Sequence, residues 1–286
     1  MIKRTGLTRI DLVVAVACVV FVLANVPVIV AGGRGRAKLE VCMANLRALT
    51  AAWSLYADAN GDKIVNGAPN WSQATECTAV APTTGPAGFN HINELPWVGN
   101  CVSKNYWTGG LLPEACQISA IKAGALWPYL KDIGLYKCPT GYRGALLTYS
   151  IFDSMNGFGE GRTDASRVRI YKVKTQIRTP GDKLVFVDEG FMTPDSYATF
   201  YDGTADTWWD SPMVRHGNGA TFGFADGHSE HRMWRGKDTV EIGKRQDKMH
   251  TSNEPATTPD GKRDLYMVQK GVWGKLGYPP TVPLKD

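Results

Sequence analysis

From Leu12 to Ala31 the chain is almost unbroken in apolar residues, with only Asn25 and Pro27 interrupting the run. About 20 such residues in a helix rise about 30 Å, the thickness of a bilayer core. The pattern therefore predicts a membrane segment near the N-terminus, with the bulk of the chain after it. Asp11 stands one position before the run. A carboxylate at membrane depth costs roughly 2.5–3.5 kcal/mol, so Asp11 calls for a partner. A plain uncleaved anchor would leave it at a helix N-terminus, where the dipole favours a carboxylate. A cleaved secretory signal would instead use the small residues Ala31-Gly32-Gly33 as its cleavage site. Lys3, Arg4 and Arg9 precede the run while Arg34, Arg36 and Lys38 come after it, so charge bias does not fix the topology.

The helix is expected to continue past this run. No Pro or Gly occurs from Ala37 to Ala59, and Leu39, Met43, Leu46, Leu49, Ala52, Trp53 and Tyr56 recur at three- and four-residue steps. Asn60-Gly61-Asp62 then gives a stop signal. One long spine helix with an apolar stripe needs a globular part to cover that stripe, because an isolated helix in water is marginal.

The chain beyond Asp62 is long enough for one sizeable core. The net charge of +5 comes without any Lys/Arg run, so no clustered patch for nucleic acid is present. Of the 6 cysteines, Cys18 lies inside the apolar run, leaving Cys42, Cys77, Cys101, Cys116 and Cys138. An odd number leaves a thiol free or intermolecular in an exported chain. There is no Cys-x-x-Cys pair and no Cys/His spacing of zinc type, so disulfides in an oxidising compartment are the preferred reading over metal. Two of Cys77, Cys101 and Cys116 form a second bridge on this reading, with the pairing open.

The stretch from Gly67 to Pro113 is rich in Gly, Pro, Asn and Thr and reads as long loops. Its Trp71, Trp97 and Trp107 either plug gaps or contact glycan. Ile118 to Ile133 reads as helical, with Pro128 restarting a turn. Val168 to Val173 alternates as a strand does, and Leu184 to Val187 is a short apolar run ending in Asp188-Glu189-Gly190. Thr193 to Ser211 reads as a polar loop carrying Trp208-Trp209. Asp226-Gly227 between two strand-like runs predicts a tight hairpin of the mirror-image type, with Ala220, Phe222 and Phe224 on one side of the sheet. The tail from Gly236 to Gly261 reads as mobile. A last short helix is expected from Asp264, as its cap, to Val272, with Leu265, Val268 and Val272 on one face. Nucleophile elbows, phosphate loops, His-Glu-x-x-His and dinucleotide fingerprints are absent from the sequence, and Gly157 to Gly161 reads as a loop.

Gly6-Leu7-Thr8-Arg9-Ile10-Asp11-Leu12 after a basic start resembles the class III signal of type IV pilins and pseudopilins. That resemblance implies cleavage by a prepilin peptidase between Gly6 and Leu7, N-methylation of Leu7, and pairing of Asp11 with the N-terminal amine of a neighbouring subunit. Leu7 stands where Phe is commonest and Asp11 where Glu is. His216, nine intervening residues and then Asp226-Gly227 resemble the H-X9-DG domain of prepilin-type processing-associated proteins. The segments Leu126 to Tyr129, Tyr136 to Pro139, Phe186 to Glu189 and Gln269 to Gly274 look like that family too, so the likeness covers roughly residues 1–60 and 120–275. Cys42 and Cys138 fall where pilin-like relatives carry a Cys, which implies that those two pair.

A strand from Ala220 to Asp226 spans about 20 Å, so His216 and Asp226 are not expected to share a ligand. His216 is read as an anchor of the strand start and Asp226-Gly227 as the turn. A site drawn from several strands is a weaker reading, with Asp188, Glu189, His228 and His231 as candidate metal ligands and calcium as the ion.

The expectation is therefore an α+β, pilin-like chain with a long N-terminal transmembrane spine helix packed on an antiparallel β-sheet with loop-rich insertions. Its parts are a leader at 1–6, the transmembrane and spine helix at 7–60, a cysteine-containing insertion at 61–117, a helix plus sheet at 118–235 and a tail at 236–286. The expected role is a structural, non-enzymatic subunit of a type IV pilus-like or type II secretion-like filament. Prepilin peptidase, other pilin-like subunits and the membrane are its expected partners, with no nucleic acid and no cofactor. It would sit as a single-pass protein in the inner membrane, its C-terminal domain periplasmic or extracellular. The rival readings are a membrane-tethered module binding glycan or a secreted partner through Trp107 or Trp208, and a metal-dependent enzyme using His216, Asp188 or His228.

Overall fold

The computed structural model describes residues 9–68, 91, 94–99, 111–157, 170–190, 196–201, 206–246 and 252–284; over residues 9–32 the description is of backbone, Val14 excepted. Gly6, Leu7, Trp71, Cys77, Cys101 and Trp107 lie outside the described residues, as does most of the glycine-rich stretch after Gly157. Helix α1 (Arg9–Ala59) is a single element of 51 residues, about 76 Å long at ~1.5 Å per residue. It ends where Gly61 and Asp62 take left-handed φ values of 63° and 71°.

The transmembrane part of the expected fold is corrected: among the described residues, no helix is long and apolar enough to cross a membrane. From Gly33 onward α1 carries Arg34, Arg36, Lys38, Glu40, Arg47 and Asp58, charges that a bilayer core does not accept.

The rest is α+β with antiparallel sheets. Strands β1 (Tyr149–Ile151), β2 (Leu184–Asp188), β4 (Gly219–Phe224) and β5 (Ser229–Met233) form a four-stranded sheet in the order β1-β2-β4-β5. Strand β3 (Thr207–Asp210) leaves that sheet and pairs with β6 (Ser252–Pro255). Helices α2 (Glu114–Ala123) and α3 (Trp127–Leu130) precede β1; α4 (Lys237–Gln246) and α5 (Pro259–Trp273) come after β5.

Two cores flank the large sheet. On one side Cys42, Leu46, Leu49, Trp53 and Ala57 of α1 pack with Tyr149, Val185 and Phe186. On the other, Leu265, Val268 and Val272 of α5 pack with Leu184, Val187, Ala220, Phe222 and Phe224. The register of β2 on β4 slips between Leu184 and Phe186. With that slip Val185 and Phe186 both serve the α1 side, while Leu184 and Val187 serve the α5 side. Regular alternation then resumes and aims Asp188 at α1.

Helix α1 lies so close to β4 that a Cβ on Gly223 would sit 2.7 Å from Thr50 Oγ1. That hydroxyl is itself held, donating to Leu46 O at 2.7 Å, so it has little room to yield. Gly223→Val is accordingly expected to lower stability by about 1–3 kcal/mol through overpacking. A urea midpoint unchanged by the substitution would contradict this close approach.

Several local expectations change in the structure. The Asp-Gly hairpin exists, but only Gly227 (φ 98°) is left-handed; Gly227 N–H donates to Phe224 O and Phe224 N–H to His228 O. This is a longer loop built on an ordinary turn with a left-handed glycine, not the mirror-image two-residue turn. Residues 170–173 contribute isolated bridges from Tyr171 and Val173, not a strand. The region read as a mobile tail holds α4 and β6. Asp238 organises it by accepting from the Thr257 and Thr258 amides at 2.7 and 2.9 Å. Helix α5 starts at Pro259 with Thr258 as its cap, accepting from Gly261 N–H at 3.0 Å. Asp264 is not the cap; it accepts from the Arg235 and Gly236 amides and ties α5 to the end of β5.

Candidate metal centre

Four side chains from four parts of the chain meet at the edge of the α1-side core. Cys42 comes from the middle of α1, and Cys138 lies just past a 3-10 turn at Ile133–Tyr136. Asp188 ends β2, and His216 lies in the turn before β4 with a left-handed φ of 51°. Their ligand atoms all lie within 4.8 Å of one another. Cys138 Sγ is 3.1 Å from His216 Nε2, Cys42 Sγ is 3.4 Å from Asp188 Oδ2, and His216 Nε2 is 3.8 Å from the same oxygen. Cys42, Cys138 and Asp188 are fully buried, and the His216 side chain is 1% exposed.

Both cysteines are free thiols here. The disulfide that the resemblance implies for them is therefore not formed, although their sulfurs lie within 4.8 Å of each other, with a carboxylate and an imidazole beside them. Cys116 belongs to a disulfide. Of the other candidate ligands, Glu189 is engaged by the Ser150 hydroxyl. His228 stacks on Phe224 with ring centroids 4.1 Å apart and bonds Asp226 Oδ1 at the hairpin tip. His231 stands edge-on to His216, centroids 6.2 Å apart, as its neighbour outside the four. Asp226 remains at the far end of β4 from His216.

Each thiol has a donor beside it, and Cys42 itself donates to Asp188 Oδ2. Tyr149 O–H donates to Cys42 Sγ at 3.4 Å and Thr140 N–H to Cys138 Sγ at 3.4 Å. Thr221 Oγ1 and Thr140 Oγ1 lie 3.1 Å from Cys42 and Cys138. Arg215 donates to Thr140 O at 3.3 Å, and its charge acts on Asp188. Burial pushes the Cys42 thiol and the Asp188 carboxyl up from their usual values, and pushes His216 down to about 4. Burial thus opposes the charged form of each of these three groups.

The arrangement is not that of a thiol nucleophile with its relay. In such a relay the acid holds the ring nitrogen remote from the nucleophile. Here thiol and carboxylate both approach Nε2, while Nδ1 has no hydrogen-bond partner. A cleft of about 920 Å³, lined by Arg34, Arg36, Lys38, Thr140 and His216 among others, reaches His216 but none of the other three. Trp208, the contact residue that a binding module would offer, is 1% exposed and packs edge-on to Trp234.

The sequence did not point to this cluster as a whole, because its members are far apart and no two stand at ligand spacing. The legible traces were local: a Cys-Pro after a short turn, and an acid ending an apolar strand. No protein family, no curated protein and no solved structure matches the chain.

Proposed function

We propose that this chain is a structural, pilin-like subunit that joins a filament through the N-terminal part of α1. The observation that carries the reading is the division of labour along that helix. From Cys42 to Ala57 one face of the helix is packed into the domain, through Cys42, Leu46, Leu49, Trp53 and Ala57, whereas Gly33 to Lys38 are all exposed. The backbone continues helical for a further 24 residues back to Arg9, from residue 32 to residue 9. A helix so long is retained when neighbours cover what its own domain does not, and copies of the same helix are the natural cover for the apolar run from Leu12. On this reading prepilin peptidase cuts between Gly6 and Leu7, and Asp11 meets the freed amine of the next subunit.

Asp11→Ala is expected to abolish filament formation, scored by sedimentation and electron microscopy, while leaving the circular dichroism of the folded domain unchanged. Filaments forming equally well from the variant would sink the reading. So would an intact mass from the native host that still includes residues 1–6.

A further inference from the structure

We propose that Cys42, Cys138, Asp188 and His216 bind one zinc ion, each giving one ligand atom, in a closed four-coordinate site that fastens α1 to the sheet. The inference stands apart from the filament reading and does not depend on it.

Geometry is the first support. Zinc bonds of about 2.3 Å to sulfur and 2.0 Å to nitrogen or oxygen set ligand-to-ligand edges of about 3.3–3.8 Å in a tetrahedron. The separations of 3.1, 3.4 and 3.8 Å fall on or near those edges. All four ligand atoms lie within 4.8 Å of one another, and Nε2 is the His216 nitrogen nearest Cys138 and Asp188.

Donor chemistry is the second. Two thiolates, an imidazole and a carboxylate suit a borderline-soft ion. Calcium and magnesium, which take oxygen ligands, fit this set poorly. Four protein ligands with no place kept for water define a structural site, not a catalytic one.

Charge and satisfaction form the third. Asp188 Oδ1 and His216 Nδ1 are buried without hydrogen-bond partners, a costly state for an ordinary core. Two thiolates and a carboxylate around a dication leave one negative charge, and Arg215 lies beside Asp188 to meet it. The Tyr149 hydroxyl and the Thr140 amide, which donate to the sulfurs, are the outer contacts that metal-bound thiolates take. A disulfide between Cys42 and Cys138 would use neither the acid nor the imidazole.

The full chain, purified under reducing conditions, should hold about one zinc per chain by elemental analysis and native mass spectrometry. Replacing the zinc by cobalt should give thiolate-to-cobalt charge-transfer absorption. Cys138→Ser should reduce that absorption to about half, since the Cys42 thiolate remains, and His216→Gln should weaken metal retention at least tenfold. Chelation should lower the melting temperature of the unsubstituted chain, a readout that needs no variant to fold. A folded, reduced chain that takes up neither zinc nor cobalt would overturn the proposal. Protein from the native host with Cys42 and Cys138 joined as a disulfide would overturn it too.

Discussion

Trp53→Ala is expected to lower unfolding free energy by about 3–5 kcal/mol, the usual cost of emptying a large aromatic site in a core. Trp53 is fully buried on the face of α1 that meets the sheet, in one cluster with Leu49, Tyr149, Val185 and Phe186. Its indole N–H has no hydrogen-bond partner, so the side chain acts by volume alone. That makes a second substitution informative. Trp53→Phe keeps much of the apolar contact and removes an unsatisfied donor, whose burial costs roughly 1–3 kcal/mol. It should therefore cost far less than the alanine change. For a chain of this size the alanine variant should melt roughly 10 °C lower. A loss under 1 kcal/mol in urea titration would mean that α1 is not held by packing against the sheet.

Lys183→Met is expected to act in the opposite sense and stabilise the fold by roughly 2 kcal/mol at neutral pH. Lys183 comes directly after a turn at Pro180–Asp182, and the residue is 4% exposed. Burial pushes its pKa from 10.5 down to about 8, against the pull of Asp182, which raises it. Its Nζ donates to Val272 O at 3.4 Å and lies 5.5 Å from the centre of the Tyr171 ring. The fall from 10.5 to about 8 corresponds to roughly 3 kcal/mol of destabilisation while the ammonium is charged in both states. Methionine keeps the apolar stem and loses the contact with the end of α5, worth roughly 0.3–1 kcal/mol, and the ammonium's approach to the Tyr171 ring. The pH dependence has a definite sign. Below about pH 8 both folded and unfolded chains carry the proton and the full penalty applies. Between about 8 and 10.5 the folded chain gives up its proton first, so the unsubstituted protein gains stability as pH rises and the advantage of methionine shrinks. Equal stability of the two proteins at pH 7 would show that the amine is adequately solvated.

How much of this was readable in the chain depends on how local each signal is. The end of α1 at Ala59 rests on adjacent residues, Asn60-Gly61-Asp62, and the hairpin tip on Asp226-Gly227. Leu265, Val268 and Val272 announce their shared face through spacing alone. The pairing of β3 with β6 joins Thr207 to Pro255 across half of the C-terminal region, and nothing in either short segment names the other. The mobile-tail reading failed because polar composition hid the carboxylates of Asp238 and Asp264, which satisfy backbone amides there. The transmembrane reading weighed apolar content and span; the charges from Arg34 onward belong to the same helix and limit what that helix is. The cluster of Cys42, Cys138, Asp188 and His216 lay beyond sequence reasoning for a related cause. Its residues are spaced by the sheet order and by the slipped register of β2, which only the assembled fold supplies.

The reach of α1 contacts along the chain has a bearing on synthesis. Cys42 meets Thr221, Met43 O accepts from Ser229, and Arg47 donates to Ser229. The cover of the helix that carries Leu46, Leu49 and Trp53 is therefore complete only when β5 has left the ribosome, long after Ala59. At about 5–20 residues per second that interval is roughly 10–35 s. For that time the newly made helix is an adhesive strip, and whatever escorts the growing chain must shield it.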